Sequence, residues 1–274
     1  MNRKEIHIKE VARLLTGFLS SGDAGDLLAY LVAESRLPGP RANLELAAAF
    51  AGTVQEFAVA DPGDLDRLWN LCIELSCIAP EDAPTGDPHE FLGFCGVRGI
   101  GAIGSVSPGH VEEALKPLAE ASTDPRWRIR EAVAMGLQDL LSRQPDTTVF
   151  ELEGWVEGGS WLAMRAAVAG IAEPDLLAEP DLAEAALRLH RKSLIRVYTA
   201  KERQSEEFRT LRKALGYTLS VVIAALPAPG FEYLRQLATL DDQDIRWIVR
   251  ENLKKNRLEK RYPETVQHIL AQLA

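Results

Sequence analysis

The residue types best able to perform catalysis in this chain are histidine and cysteine, and neither type is spaced for it. The histidines are scattered, without the paired spacing on one helix that zinc hydrolases use. The cysteines have no metal-type spacing, so we interpret them as small buried residues of a protein from a reducing compartment. We therefore predict no metal, no cofactor and no catalytic residue, and we do not predict an enzyme. The residues concerned are His7, His89, His110, His190, His268, Cys72, Cys77 and Cys95.

Two further features resemble sites of known chemistry. His190 lies in a basic segment, where we expect a surface histidine, with a general base as the alternative. The segment Gly99–Gly104 has the glycine spacing of a dinucleotide-binding loop, but such a loop needs a strand before it. The preceding residues, His89–Phe94, have the composition of a helix. We therefore predict that these glycines let repeat helices pack closely.

The charge distribution is the sequence feature that bears most on function. The chain has a formal net charge of -9, yet residues 188–261 hold 17 Lys and Arg against 9 Asp and Glu. Seven of these basic residues recur at helical spacing, which places them on one face of each of two predicted helices. They are Arg188, Arg191, Lys192 and Arg196, followed by Arg209, Arg212 and Lys213.

These seven residues, called here the basic stripes, have two interpretations. They could bind the phosphate groups of nucleic acid or an acidic partner on a concave surface. Alternatively, they are a solvated surface whose charges are paired with Glu184, Glu206 and Glu207, which lie close to arginines of the same helices.

A hexapeptide occurs twice, almost unchanged, as Arg126–Glu131 and Arg246–Glu251. In both copies an aspartate lies six residues before the final arginine. The two pairs are Asp124 with Arg130 and Asp244 with Arg250. The offset of 120 residues equals three periods of about 40, the length of a two-helix repeat unit.

Weaker copies of the unit occur at Phe94–Gly101, Trp161–Gly170 and Phe208–Gly216. They share an arginine and a run of small residues with the two strong copies. We interpret all of these segments as the second helices of successive hairpins, in which small residues let neighbouring helices approach one another.

An aspartate followed by an aromatic residue, a β-branched residue, an arginine and a small-residue helix resembles the second helix of a HEAT repeat. The resemblance covers about residues 86–260, and Pro117 lies where that family often has a proline in the first helix. It implies that the aspartates and arginines pair as an internal ladder along the stack. That ladder is expected to be broken before Arg165 and Arg212, where the aspartate is missing. The predicted ladder residues are Asp124, Arg130, Asp244 and Arg250.

The resemblance implies an all-α fold, a right-handed superhelix (solenoid) of stacked helical hairpins. We predict one domain over 1–274, with a cap of off-pattern helices over 1–80 and HEAT-like repeats over 86–274. Trp127 and Trp247 are expected to be packing anchors between repeats. Predicted helices cover 4–20, 24–36, 42–59, 63–78, 88–103, 110–121, 126–143, 147–157, 160–172, 181–200, 205–226, 230–239, 244–258 and 262–273.

No segment has the composition of a membrane span or a secretion signal. The first twenty residues are charged and amphipathic, and the most apolar stretch, Leu215–Leu226, is about half the length that a span requires. We expect a soluble, cytoplasmic protein without a membrane partner.

The predicted function is that of a scaffold or adaptor that binds a protein partner, because stacked hairpins form an extended concave surface. The alternative is a protein that binds nucleic acid or repairs DNA through its basic C-terminal half. Bacterial glycosylases that act on alkylated bases are built from HEAT-like repeats, and the chain resembles them in architecture only. We assign no catalytic residue from that resemblance.

Overall fold

The computed structural model describes residues 2–273, apart from the side chain of Pro62, and within them every regular element is helical. The all-α prediction is confirmed. The α-helices are α1 Arg3–Ser21, α2 Gly25–Ala33, α3 Leu44–Ala60, α4 Pro62–Ser76, α5 Glu90–Val106, α6 Val111–Ala121, α7 Trp127–Arg143, α8 Pro145–Gly158, α9 Trp161–Ile171, α10 Pro180–Thr199, α11 Glu206–Ala225, α12 Pro227–Ala238, α13 Gln243–Leu253, α14 Asn256–Glu259 and α15 Pro263–Gln272. Two short 3₁₀ helices, Pro108–His110 and Leu176–Ala178, lie between them.

The chain divides into two compact units, unit 1 (Met1–Thr148) and unit 2 (Val149–Ala274). Helix α8 begins in unit 1 and continues into unit 2. The sequence-based prediction of one continuous repeat domain stays a prediction.

Local signals explain where the helices begin and end. At α1, the Asn2 side chain accepts a hydrogen bond from the Glu5 amide, and the Glu5 carboxylate accepts one from the Asn2 amide. This reciprocal pair satisfies two amides that a helix start leaves without partners. The helix ends at Gly22, whose φ of 82° lies in the left-handed region that favours glycine. Ser160 and Ser205 cap α9 and α11 in the same way as Asn2, through a side-chain oxygen.

Helix α5 is the centre of unit 1 and packs against α3, α4, α6 and α7. Its glycines permit close approach. A Cβ atom at Gly96 would lie 2.5 Å from the amide nitrogen of Ser76, and one at Gly101 would lie 2.4 Å from the Cα of Gly136. The prediction that the glycines of Gly99–Gly104 serve helix packing is confirmed, since they lie inside a helix with no strand before it.

Helix α11 has the corresponding place in unit 2, where it packs against α9, α10, α12 and α13. Trp247 of α13 lies against Gly216, because a Cβ atom there would be 3.0 Å from the indole ring. Trp247 therefore packs between α11 and α13, while its place between two repeats stays a prediction. The same prediction is wrong for Trp127, whose side chain is 43% exposed and lies beside the guanidinium of Arg128, 4.5 Å from its ring centroid.

The Asp–Arg pairing predicted for Asp124 differs in the structure. The Asp124 carboxylate lies 2.7 Å from the guanidinium of Arg126. Arg130 instead donates to the backbone carbonyls of Asp124 and Pro125, at 2.5 and 2.9 Å.

The second predicted pair also has different partners. Asp244 lies 2.7 Å from Arg212 and 3.1 Å from Arg203, whereas Arg250 donates to the carbonyl of Leu273 at 2.5 Å. The Arg212–Asp244 pair connects α11 to α13. The ladder was expected to be broken at Arg212, because no aspartate precedes it in the sequence. In the structure Arg212 nevertheless has an aspartate partner, supplied by Asp244 of α13.

Candidate functional site

Two of the four basic residues on α10 are paired with carboxylates of α8. Lys192 lies 2.8 Å from Glu153 and 2.6 Å from Glu157, and Arg188 lies 3.6 Å from Glu153. The Lys192 hydrogen bond lowers the pKa of Glu153, and both carboxylates raise the pKa of Lys192. Glu184, the partner expected from the same helix, takes no part in these ion pairs.

The other two arginines of α10 contact backbone and aromatic groups. Arg196 donates to the carbonyls of Val156 and Gly159, at 2.7 and 3.0 Å, and its guanidinium lies 5.4 Å from the ring centroid of Trp161. It thereby satisfies carbonyls at the C-terminal end of α8. The Arg191 guanidinium lies 5.1 Å from the ring centroid of Tyr233. Burial raises the pKa of that tyrosine to about 12.

The basic residues on α11 also differ in their partners: two of them pair with carboxylates and one does not. Arg209 pairs with Glu206 at 3.4 Å, as one sequence interpretation expected. Arg212 pairs with Asp244 at 2.7 Å and stacks 3.9 Å from the ring centroid of Trp247. Lys213 is exposed and has no ion pair within the described part of the chain. The stripes therefore do not form one continuous unpaired cationic surface, since most of their charges face carboxylates of this chain.

His190 is buried on the opposite side of α10, which corrects the expectation of a surface histidine. Its Nδ1 donates to the carbonyl of Ala186 at 2.7 Å, and its Nε2 accepts from the hydroxyl of Thr218 at 2.9 Å. Burial lowers the pKa of the ring to about 4. The general-base alternative fails, because a fully enclosed imidazole cannot reach a substrate.

A groove of about 530 Å³ in unit 2 is the strongest candidate site. Its walls come from the 3₁₀ helix Leu176–Ala178, the C-terminal end of α11 and the α14 region. Most of the lining is apolar, and among the described residues that form it, the charges are those of two arginines. The lining residues are Pro174, Leu177, Ala178, Val221, Ala224, Ala225, Arg257 and Arg261.

The two arginines belong to the most basic segment of the chain. Residues 254–261 contain five Lys or Arg and a single Glu. Lys254 is paired with Glu251 at 2.5 Å, but neither Arg257 nor Arg261 has a carboxylate within ion-pair distance among residues 2–273. Arg261 lies only beside the ring of Tyr262, at 5.7 Å from its centroid. The groove therefore combines an apolar floor with two exposed, unpaired guanidinium groups.

Sequence reasoning included Arg257 and Arg261 in the basic C-terminal half but did not select them. The density of basic residues in 254–261 was the available signal. The apolar floor had no such signal, because its residues come from segments that are far apart in the chain.

Comparison with known proteins adds no family. No family model matches the chain, and no curated protein matches it. Among solved structures, the crystal structure of an engineered protein is similar, with 17% sequence identity, 98% of each chain covered and a TM-score of 0.38.

No helix within residues 2–273 combines the length and the apolar character that crossing a membrane requires. In the same residues, no three His, Cys, Asp or Glu side chains are grouped closely enough to hold a metal ion.

Proposed function

We propose that this chain is a HEAT-like α-solenoid protein that binds a protein partner, and that the unit 2 groove receives an apolar segment of that partner flanked by acidic residues. The observation that carries the proposal is the apolar floor beneath two unpaired arginines. An apolar floor gains free energy when apolar side chains displace water from it. The arginines add charge-assisted hydrogen bonds, which carboxylates can accept in pairs.

The HEAT-like part of the proposal is supported by the packing of the repeat segments. Both strong copies of the hexapeptide begin near the N-terminal end of a helix: the first copy begins at the residue before α7, and the second begins at the fourth residue of α13. Small residues lie at the contacts between consecutive helices of the pattern, as at Gly101 and Gly136. Stacked hairpins of this kind provide long surfaces for partners without any reactive group.

A protein segment fits the groove better than nucleic acid does. Phosphate backbones require several unpaired cations in a row, and the stripes on α10 and α11 are mostly engaged by this chain's own carboxylates. Apolar floor residues such as Leu177 and Val221 offer a phosphate backbone nothing, whereas they suit an apolar side chain. Arginine beside an apolar pocket is also a frequent composition of protein interfaces.

The test is selection of random 12-residue peptides displayed on phage against the full chain, followed by fluorescence anisotropy with the selected peptides. We expect enrichment of segments in which two or more apolar residues are flanked by Asp or Glu. Reversing both groove charges (Arg257→Glu with Arg261→Glu) should weaken binding by roughly tenfold or more. The matched control reverses two exposed charges outside the groove, Arg209→Glu with Lys213→Glu, and should leave the affinity unchanged.

Two results would overturn the proposal. The first is selection of peptides without acidic residues, or binding that is equally sensitive to the control substitutions. The second is that a 20-base-pair DNA duplex binds, loses affinity steeply with salt and fails to bind the Arg257→Glu, Arg261→Glu protein, while no peptide is selected. That second outcome would establish the nucleic-acid alternative.

A further inference from the structure

Unit 1 has a separate pocket of about 370 Å³, lined by charged, aromatic and apolar side chains at the N-terminal end of α1. Its centre is His7, which is buried and lies 2.7 Å through Nδ1 from the hydroxyl of Tyr30 on α2. The two rings meet edge to face, with centroids 6.1 Å apart. The lining residues are Arg3, Ile6, His7, Tyr30, Glu34 and Arg36.

The proton positions of the His7–Tyr30 pair follow from Asn43. Its side-chain oxygen accepts from the amide of Leu46 at 3.2 Å, and its Nδ2 donates to the carbonyl of Glu34 at 2.8 Å. The second Nδ2 hydrogen is then directed to Nε2 of His7, at 3.4 Å, which must act as an acceptor. His7 therefore carries its proton on Nδ1 and donates it to the Tyr30 oxygen.

This arrangement leaves the hydroxyl hydrogen of Tyr30 available to an occupant of the pocket. Within residues 2–273, His7 is the only hydrogen-bond partner of that hydroxyl. Burial, followed by the carboxylates of Glu34 and Glu10, raises the pKa of Tyr30, so the group stays a donor at neutral pH. The pocket thus presents an oriented O–H donor in addition to the guanidinium groups that line it.

Arg36 adds a second indication that the pocket takes a ligand. Its φ of 61° lies in the left-handed region, where a side chain costs free energy that glycine would avoid. The side chain contributes little to the fold, because it is exposed and its ion pair with the exposed Glu45 is long, at 3.5 Å. An arginine at a position suited to glycine is explained if its guanidinium acts in the pocket.

We propose that this pocket binds a small, singly charged carboxylate, which accepts hydrogen bonds from Tyr30 and from the guanidinium of Arg36. Arg3 contributes further positive charge at the rim. The carboxylate of Glu34 also lines the pocket and repels a second negative charge. It therefore selects a monocarboxylate over a dianion such as sulfate.

The experiment is a titration of the ¹⁵N-labelled full chain with sodium acetate, with sodium chloride at equal ionic strength as the reference. The reporter is the side-chain amide of Asn43, which contacts His7. We expect saturable shifts with acetate only. Arg36→Gly should weaken acetate binding by about tenfold, since a charge-assisted hydrogen bond is lost, while the unfolding midpoint stays the same or rises. Arg13→Gln, on the exposed surface of α1, is the control and should bind acetate normally.

Two further variants make the result decisive. Tyr30→Phe keeps the ring and removes the donor, so acetate binding should weaken by about tenfold. Glu34→Gln removes the repulsion, so it should strengthen acetate binding and allow the sulfate dianion to bind. The proposal is wrong if acetate and chloride give the same shifts, if the Arg36→Gly protein binds acetate as tightly as the unaltered chain, or if sulfate competes with acetate before Glu34 is changed.

Discussion

Lowering the pH from 7 to 5 should destabilise this protein through His190. The buried ring has a pKa of about 4 in the folded chain, because burial disfavours its charged form, against about 6.5 in an unfolded chain. Between those values the unfolded state binds a proton that the folded state does not bind. Stability therefore falls as the pH decreases through this window and is fully retained above about pH 7.

The magnitude follows from the two pKa values. At pH 5 an unfolded ring is about 97% protonated and the folded ring about 10%, so the stability contributed at pH 7 decreases by about 2 kcal/mol. The loss approaches about 3 kcal/mol near pH 4. Few carboxylates with ordinary pKa values are protonated at pH 5, which makes that pH the better place to measure the effect of the histidine.

The assay is urea unfolding at pH 7 and pH 5, for the unaltered chain and for His190→Gln. Glutamine retains an oxygen that can accept from Thr218 but has no group that titrates in this range. The unaltered chain should lose about 2 kcal/mol more between the two pH values than the variant does. His268→Gln, at an exposed histidine, is the control and should behave like the unaltered chain.

An equal loss of stability in the unaltered chain and in His190→Gln would refute this reasoning. So would a shift of the His190 Hε1 proton resonance with a midpoint near pH 6.5 in the folded protein. Either result would mean that the His190 ring takes up a proton while the protein stays folded.

Two other predictions concern packing and buried charge. Gly101→Ala should destabilise unit 1 by about 1–3 kcal/mol, because the new methyl group meets the backbone of Gly136. Gly52→Ala is the control: it has open space around it and should stabilise the protein by about 0.5–1 kcal/mol. Thermal unfolding should therefore show a lower midpoint for the first variant and a higher midpoint for the second. Arg126→Ala should lower the free energy of unfolding in urea by about 3 kcal/mol, since the buried guanidinium binds the Asp124 carboxylate and two loop carbonyls. Arg13→Ala, at the surface, should change that free energy little. Equal unfolding midpoints for the two arginine variants would contradict the prediction.

The helices and the packing of α5 were predictable because their signals are local. The capping pair of Asn2 and Glu5 lies within one helical turn, and so does the left-handed stop at Gly22. The glycines of Gly99–Gly104 lie in a segment whose composition predicts a helix. A glycine inside a helix costs stability unless a neighbour needs the space, so close packing was the expected explanation.

The partners of charged and titratable residues were not predictable in this way. Spacing alone placed Lys192 on one face of its helix, but its carboxylate partners lie 35 and 39 residues earlier, on α8. His190 belongs to the same basic segment and yet lies on the buried side, against Thr218 of α11. Two consecutive residues of a helix point in directions about 100° apart, so neighbours in the sequence can lie on different sides of the helix. Which side is buried depends on where the neighbouring helix packs.

The sequence by itself therefore determined that the chain is helical, where most helices begin and end, and which small residues let them approach. Those features depend on interactions within a few residues. Only the tertiary structure decided which arginines remain unpaired, because ion pairing depends on segments brought together by packing. Four of the seven basic residues on α10 and α11 are paired with carboxylates in this way. Arg257 and Arg261 remain free above an apolar floor assembled from three separate segments, and they, not the stripes, are the proposed site.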